Sequence, residues 1–186
     1  MAGRRSDTRE RIQQVALELF AAQGYEQTSL REVADRLNIT RPALYYHFRT
    51  KEDILTGVLD DLGTSIDELV RWAKEQPRTT EARRQILRRI AELLDGQWRP
   101  LVRFAQVNQN AMRDSPSGER MRERMLALVT LLSDPDAEPT ARFEAQLAVI
   151  ALILGTSPFP AGLDLGEAER AEIALRVADK LVAGLD

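Results

Sequence analysis

Residues 28 to 51, TSLREVADRLNITRPALYYHFRTK, constrain the fold more than any other part of the chain. Two short segments of helical periodicity lie here, split by a polar break from Asn38 to Thr40. Ser29 with Glu32 fits a capping box, and Leu30, Val33, Ala34 and Leu37 make a buried stripe on the first segment. Asn38 tolerates the left-handed conformation of a turn, Ile39 plugs the core, and Thr40 can cap a further helix whose first turn accepts Pro42. That helix is short, about 41–48. Leu44 and Phe48, four residues apart, face inward and leave Arg41, Ala43, Tyr45, Tyr46 and His47 on the outer faces. The pattern predicts a helix-turn-helix.

Helical periodicity continues on both sides. Ile12, Val15, Ala16, Leu19 and Phe20 predict a helix over 7–23 that Gly24 ends, and a long stripe from Ile54 to Val70 predicts one from about 52 to 74. After a break at Pro77 to Thr80, further helices are expected at about 80–95, 98–113, 119–133, 139–156 and 167–184. No segment reads as strand. The expected fold is all-α: a helix-turn-helix domain over residues 1–51, then a helical bundle over 52–186, with about nine helices in total.

Composition removes several functions. The chain has no Cys and one His among 186 residues, which leaves little for a disulfide, a zinc site or a His-based catalytic dyad. No enzyme activity and no cofactor are expected. The basic start lacks an apolar run behind it, and the longest apolar run, Leu147 to Leu154, falls well short of the ~20 residues that cross a bilayer, so a cytoplasmic protein away from the membrane is expected. The net charge of −3 argues against nucleic acid only until it is divided. Residues 1–51 hold nine Lys and Arg against six Asp and Glu, so the positive end is the one with the motif.

The segments Phe20 to Tyr25, Thr28 to Ala34 and above all Ala43-Leu44-Tyr45-Tyr46-His47-Phe48, followed by Lys51-Glu52, resemble the TetR family of transcriptional regulators. The resemblance covers the first quarter of the chain. A helix fits the major groove and presents its first side chains to base edges. Arg41 suits a guanine edge as a bidentate donor, and Ala43 suits a thymine methyl. With Pro42 and Tyr45, these match the positions through which the family reads sequence. By the same resemblance Tyr46, His47, Thr40 and Lys51 would hold phosphates, with Thr28, Ser29 and Arg31 as further candidates at the start of the second helix. Each also has a plainer reading: Tyr45 and Tyr46 as packing residues, His47 as a structural histidine, and Lys51 as a solvated helix start.

One head makes few contacts, so a homodimer on a palindromic operator in double-stranded DNA is expected, with half-sites about 34–36 Å apart. The pairing surface falls to helices 8 and 9, about 139–156 and 167–184. The first is apolar nearly all round and the second carries an Ala/Val/Leu stripe, and the family pairs this way. Completion of the monomer core is the alternative. Trp72, Trp98, Phe104, Asn108, Met112, Met125, Phe143 and Gln146 supply aromatic, thioether and amide groups suited to a pocket for a small apolar effector, although any helical core uses the same residues. The expected function is a repressor released from its operator by that ligand. A regulator without a small effector is the alternative, as is a small-molecule-binding protein or enzyme that keeps the motif as structure.

Overall fold

Nine helices occur among the described residues of the computed structural model, which are 2–96, 98–107, 116–134, 136–156 and 164–185, with backbone alone at 2–6, 106 and 107. In chain order they are α1 (Ala2–Gln23), α2 (Leu30–Leu37), α3 (Arg41–His47), α4 (Lys51–Lys74), α5 (Thr80–Asp95), α6 (Arg99–Val107), α7 (Pro116–Thr130), α8 (Pro139–Gly155) and α9 (Glu167–Ala183). The fold is all-α, an N-terminal helix-turn-helix followed by a helical bundle, as the periodicity predicts. α1 begins before its expected start at 7, its helical backbone running through Arg4 and Arg5. α7 begins and ends three residues earlier than expected, yet Leu132 beyond its end is still fully buried.

Side-chain caps set several helix starts. Thr50 accepts from the Asp53 amide while the Asp53 carboxylate accepts from the Thr50 amide, and Thr79 caps α5 by accepting from the Ala82 amide. One apolar core runs through the whole chain. Ile12, Ala16 and Phe20 of α1 meet Val33, Ala34, Leu44 and Phe48 of the motif, and α4 carries that core onward through Ile54, Val58, Leu59, Leu62, Ile66 and Leu69. α5 and α6 then add Ile86, Leu87, Ile90, Leu101 and Phe104.

Two helix contacts position everything else. α6 lies on α1, where the Phe104 ring sits 5.8 Å from both Phe20 and Tyr25, and those two rings meet edge to face at 5.0 Å. α8 and α9 make the most extensive helix–helix contact, and small residues allow it. A Cβ built on Gly155 would come within 2.4 Å of the Ala174 Cβ and 3.3 Å of the Arg170 carbonyl. Gly155→Val therefore has no room unless the two helices separate. It should destabilise the protein by about 1–3 kcal/mol, read as a lower urea midpoint, and an unchanged midpoint would show that the α8–α9 contact yields without cost.

Candidate nucleic-acid interface

The motif is built from its caps outward. At α2 the Ser29 hydroxyl accepts from the Glu32 amide at 3.3 Å, and the Glu32 carboxylate accepts from the Ser29 amide at 2.7 Å. The Ser29 hydroxyl, which also donates to that carboxylate at 2.7 Å, and then the Ser29 amide hold the Glu32 carboxyl below its ordinary pKa. α2 ends at Asn38, whose φ of 53° is left-handed, and the chain turns there with the Ile39 amide bonded to the Ala34 carbonyl at 3.0 Å. Thr40 accepts weakly from the Ala43 amide at 3.4 Å and opens α3.

α3 is held by two buried anchors, Leu44 within it and Phe48 just past its end. Every other direction faces outward. Arg41, Pro42 and Ala43 are exposed, as is Thr40. Tyr45 is 51% and Tyr46 66% exposed, which excludes packing as their main role, since a packed tyrosine hides its ring. His47 is half-buried with the Tyr46 ring edge-on at 5.3 Å. The outcome is one continuous surface with a guanidinium, two phenols, an imidazole and the capped start of a short helix. Such a surface offers hydrogen-bond donors to phosphate and a narrow convex edge to a groove.

A groove of about 340 Å³ continues this surface between α3, α4 and the start of α1, and adds Arg9 and Arg49 to it. Sequence reading did not single out either residue. Arg49 directly follows Phe48, the signal that could have drawn attention to it. Arg9 reaches the groove only through the fold, with its guanidinium over the Phe48 ring at 4.9 Å.

Two of the expected phosphate contacts are otherwise engaged. Thr28 is 2% exposed; its hydroxyl donates to the Gly24 carbonyl at 2.8 Å and accepts from Gln23 at 3.2 Å. A buried, doubly bonded hydroxyl is in no position to meet a phosphate, so Thr28 is a structural residue that ties the turn after α1. Lys51 reaches back: its ammonium donates to the Tyr25 carbonyl at 2.7 Å and the Glu26 carbonyl at 3.3 Å, and lies 4.6 Å from the centre of the Tyr25 ring. The reason for a cation at this helix start is the turn it caps. Tyr25 in turn donates to Glu52 at 3.0 Å. Burial first, then the bond to Glu52, pushes the phenol well above its ordinary pKa and keeps it a donor. Ser29 is exposed but engaged with Glu32, and Arg31 pairs with Asp35 at 3.6 Å across the solvent face of α2.

The residues expected around an effector are not gathered at one place. Phe104 is fully buried, and it fills the junction with Phe20 and Tyr25 where an interior pocket was expected to use it. Trp72 is half-buried under the Arg89 guanidinium, 3.7 Å from its ring centre. Met125 is half-buried on α7. Phe143, 57% exposed, and Gln146, also exposed, lie on the outer face of α8 in line with Ile150 and Leu154, directed to the surface among the described residues. Asn108 and Met112 lie outside the described residues. Trp98 is buried beside a cavity between α1 and α4.

Comparison with known proteins bears on the motif first. Residues 12–58 match the family model for bacterial regulatory proteins of the tetR family. The HTH-type transcriptional regulator AcrR of Shigella flexneri is 41% identical over 63 residues, which are 34% of this chain and 29% of that protein. The HTH-type transcriptional activator FasR of Mycolicibacterium smegmatis is 34% identical over 88 residues, 47% of this chain and 39% of that one. The matched stretches thus span well under half the length of these relatives. Likeness of fold extends further: the TetR-family regulator PfmR of Thermus thermophilus superposes with a TM-score of 0.70 at 23% identity, over 95% of this chain and 99% of that one. Residues 12–58 therefore carry the DNA-binding domain of the tetR family of bacterial regulatory proteins, and the fold of the chain is the one seen in a solved member of that family.

Proposed function

We propose that this protein is a sequence-specific DNA-binding transcriptional regulator, a repressor that acts as a homodimer on a palindromic operator in the cytoplasm. The outer face of α3 carries this reading. Arg41, Pro42, Ala43, Tyr45 and Tyr46 are exposed together around two buried anchors, an arrangement with no use in packing. Arg41 would read a guanine, Ala43 a thymine methyl, and Pro42 and Tyr45 adjacent base edges and sugars. Thr40, Tyr46 and His47 would hold the backbone, with Ser29, Arg31 and Arg49 at its margins. Lys51 would act mainly through the turn it braces.

The pairing surface is supported by a second observation. Phe143, Ile150 and Leu154 of α8 are exposed at 57%, 46% and 43%, and Val177 of α9 at 43%. Residues 143, 150 and 154 recur on one helix face, so α8 presents a stripe of large apolar side chains to solvent while its small residues pack inward on α9. A second copy of the same two helices would cover that stripe as a four-helix bundle. Release by a small ligand bound in the helical body completes the reading; it requires only that the ligand prefer the non-binding state by about 1–3 kcal/mol.

DNA fragments retained by the purified protein identify the operator, and fluorescence anisotropy on labelled fragments tests the roles. Arg41→Ala should cost about 1–3 kcal/mol on the best sequence and flatten the preference at one base pair per half-site. His47→Ala should weaken all sequences alike and shorten the slope of affinity against salt. Equal effects of both on every sequence would refute these assignments. For the dimer, Ile150→Glu combined with Val177→Glu should sediment as a monomer and lose high-affinity operator binding; a doubly charged variant that still sediments as a dimer would place the interface elsewhere.

A further inference from the structure

The groove of about 340 Å³ beside the motif holds a cation that the motif itself does not supply. Arg9 enters it from α1. Its guanidinium lies over the Phe48 ring at 4.9 Å, and its Nη2 rests against Gly57 of α4. A Cβ built on Gly57 would come within 2.7 Å of that nitrogen and 3.4 Å of the Phe48 ring, so a larger residue there displaces the guanidinium. Gly57 is buried in the interior of a helix, where glycine is weaker than alanine. That weakness falls at the point where α4 makes room for Arg9. The cation is held in place without being neutralised, since Arg9 forms no ion pair among the described residues. Arg49, exposed at the same groove, forms none there either. The two carboxylates on the groove wall are engaged elsewhere. Asp53 accepts from the Arg49 and Thr50 amides, each at 3.0 Å, and Asp60 pairs with Arg120 at 3.1 Å.

Two guanidinium groups without a counter-ion, one of them pre-set by a ring and a glycine, suit one further negative group. The rim of the groove carries Tyr46 and His47, read above as holding the DNA backbone. Phosphates of one strand follow each other every ~3.4 Å along the duplex axis, so a strand gripped at Tyr46 and His47 brings a neighbouring phosphate to the groove. We propose that the groove is the seat of that phosphate and that Arg9 of α1 is the residue that grips it, with Arg49 alongside. Phe48 then has two duties: it is the buried anchor of α3, and its ring carries the guanidinium. Phosphate grip and base-reading helix are thereby kept in one register. The contact carries no sequence information; it adds affinity to every sequence and fixes where Arg41 and Ala43 meet the bases. This inference rests on the regulator reading above and extends its footprint from the two helices of the motif to α1.

Anisotropy of labelled duplexes, titrated with the full chain from about 50 to 200 mM salt, reads the grip. Arg9→Ala should lose about tenfold in affinity on retained fragments and on random-sequence duplex alike, the range of one charge-assisted contact. Its slope of log affinity against log salt should fall by about one. Arg11→Ala removes the same charge two residues on, from a different face of α1, and should leave the slope unchanged. Gly57→Ala keeps every charge yet displaces the guanidinium; it should weaken binding as Arg9→Ala does, with circular dichroism unchanged. Neutral methylphosphonate linkages, placed one at a time around each half-site, then locate the phosphate. One of them should weaken the wild-type chain by about tenfold and cost Arg9→Ala nothing, a pairing that loss of packing alone does not produce. A wild-type slope in Arg9→Ala, full affinity in Gly57→Ala, or no linkage that is silent in Arg9→Ala overturns the proposal and leaves the regulator reading in place. A wild-type chain that binds no duplex overturns the regulator reading, and this inference with it.

Discussion

The contact on which the molecule most depends is the aromatic junction of Phe104 with Phe20 and Tyr25. Phe104 is the residue through which α6 reaches the head, and it is fully buried there. Each ring pair of this geometry adds about 0.5–1.5 kcal/mol beyond the area it buries. The Tyr25 ring is also fixed from its other side. Its hydroxyl donates to Glu52, the Lys51 ammonium lies over it, and that ammonium holds the carbonyls of Tyr25 and Glu26. The end of α1, the start of α4 and the middle of α6 therefore meet at one side chain. None of the three can shift by much without breaking a contact that the other two need.

α4 carries that constraint away from the motif. Its 24 residues span about 36 Å, from the turn beside α3 to the far end of the body. Buried Ile, Leu and Val side chains hold it along most of that length, and α7 lies on it with Met121 and Leu128 in the same core and ion pairs alongside. Arg124 forms a two-pronged pair with Asp67, with bonds of 3.0 and 3.1 Å, and Arg120 meets Asp60 at 3.1 Å. The Arg124 guanidinium lies over Gly63, where a Cβ would come within 2.3 Å of it. Partly exposed pairs of this kind contribute about 0–1 kcal/mol each, so they fix direction more than they stabilise.

Much of this was legible in the chain. Ser29 with Glu32, Asn38 at the turn, Thr40 before Pro42 and the inward pair Leu44 and Phe48 follow from local rules, because caps and turns depend on a few neighbouring residues. What failed to transfer was anything decided by a distant partner. Thr28 reads like a helix-start hydroxyl free for phosphate until Gly24 and Gln23 are seen to use it. Lys51 reads like a surface cation, yet its partners lie 25 and 26 residues away in sequence. Phe104 and Phe143 share a residue type and a helical stripe, but one is sealed against α1 and the other open on α8. Periodicity gives the face of a helix and does not say what covers that face.

The outer face of α3 and the apolar stripe of α8, two exposed features among the described residues, fit together under the proposed function. A single head offers a short helix and a few donors, too little surface for tight and selective binding. A dimer through α8 and α9 would double it, but only at one spacing, because groove positions recur every helical turn of DNA. In such a dimer that spacing would depend on the close α8–α9 contact at Gly155, the packing of α9 on α5, the core of α4, and the ring cluster at Phe104.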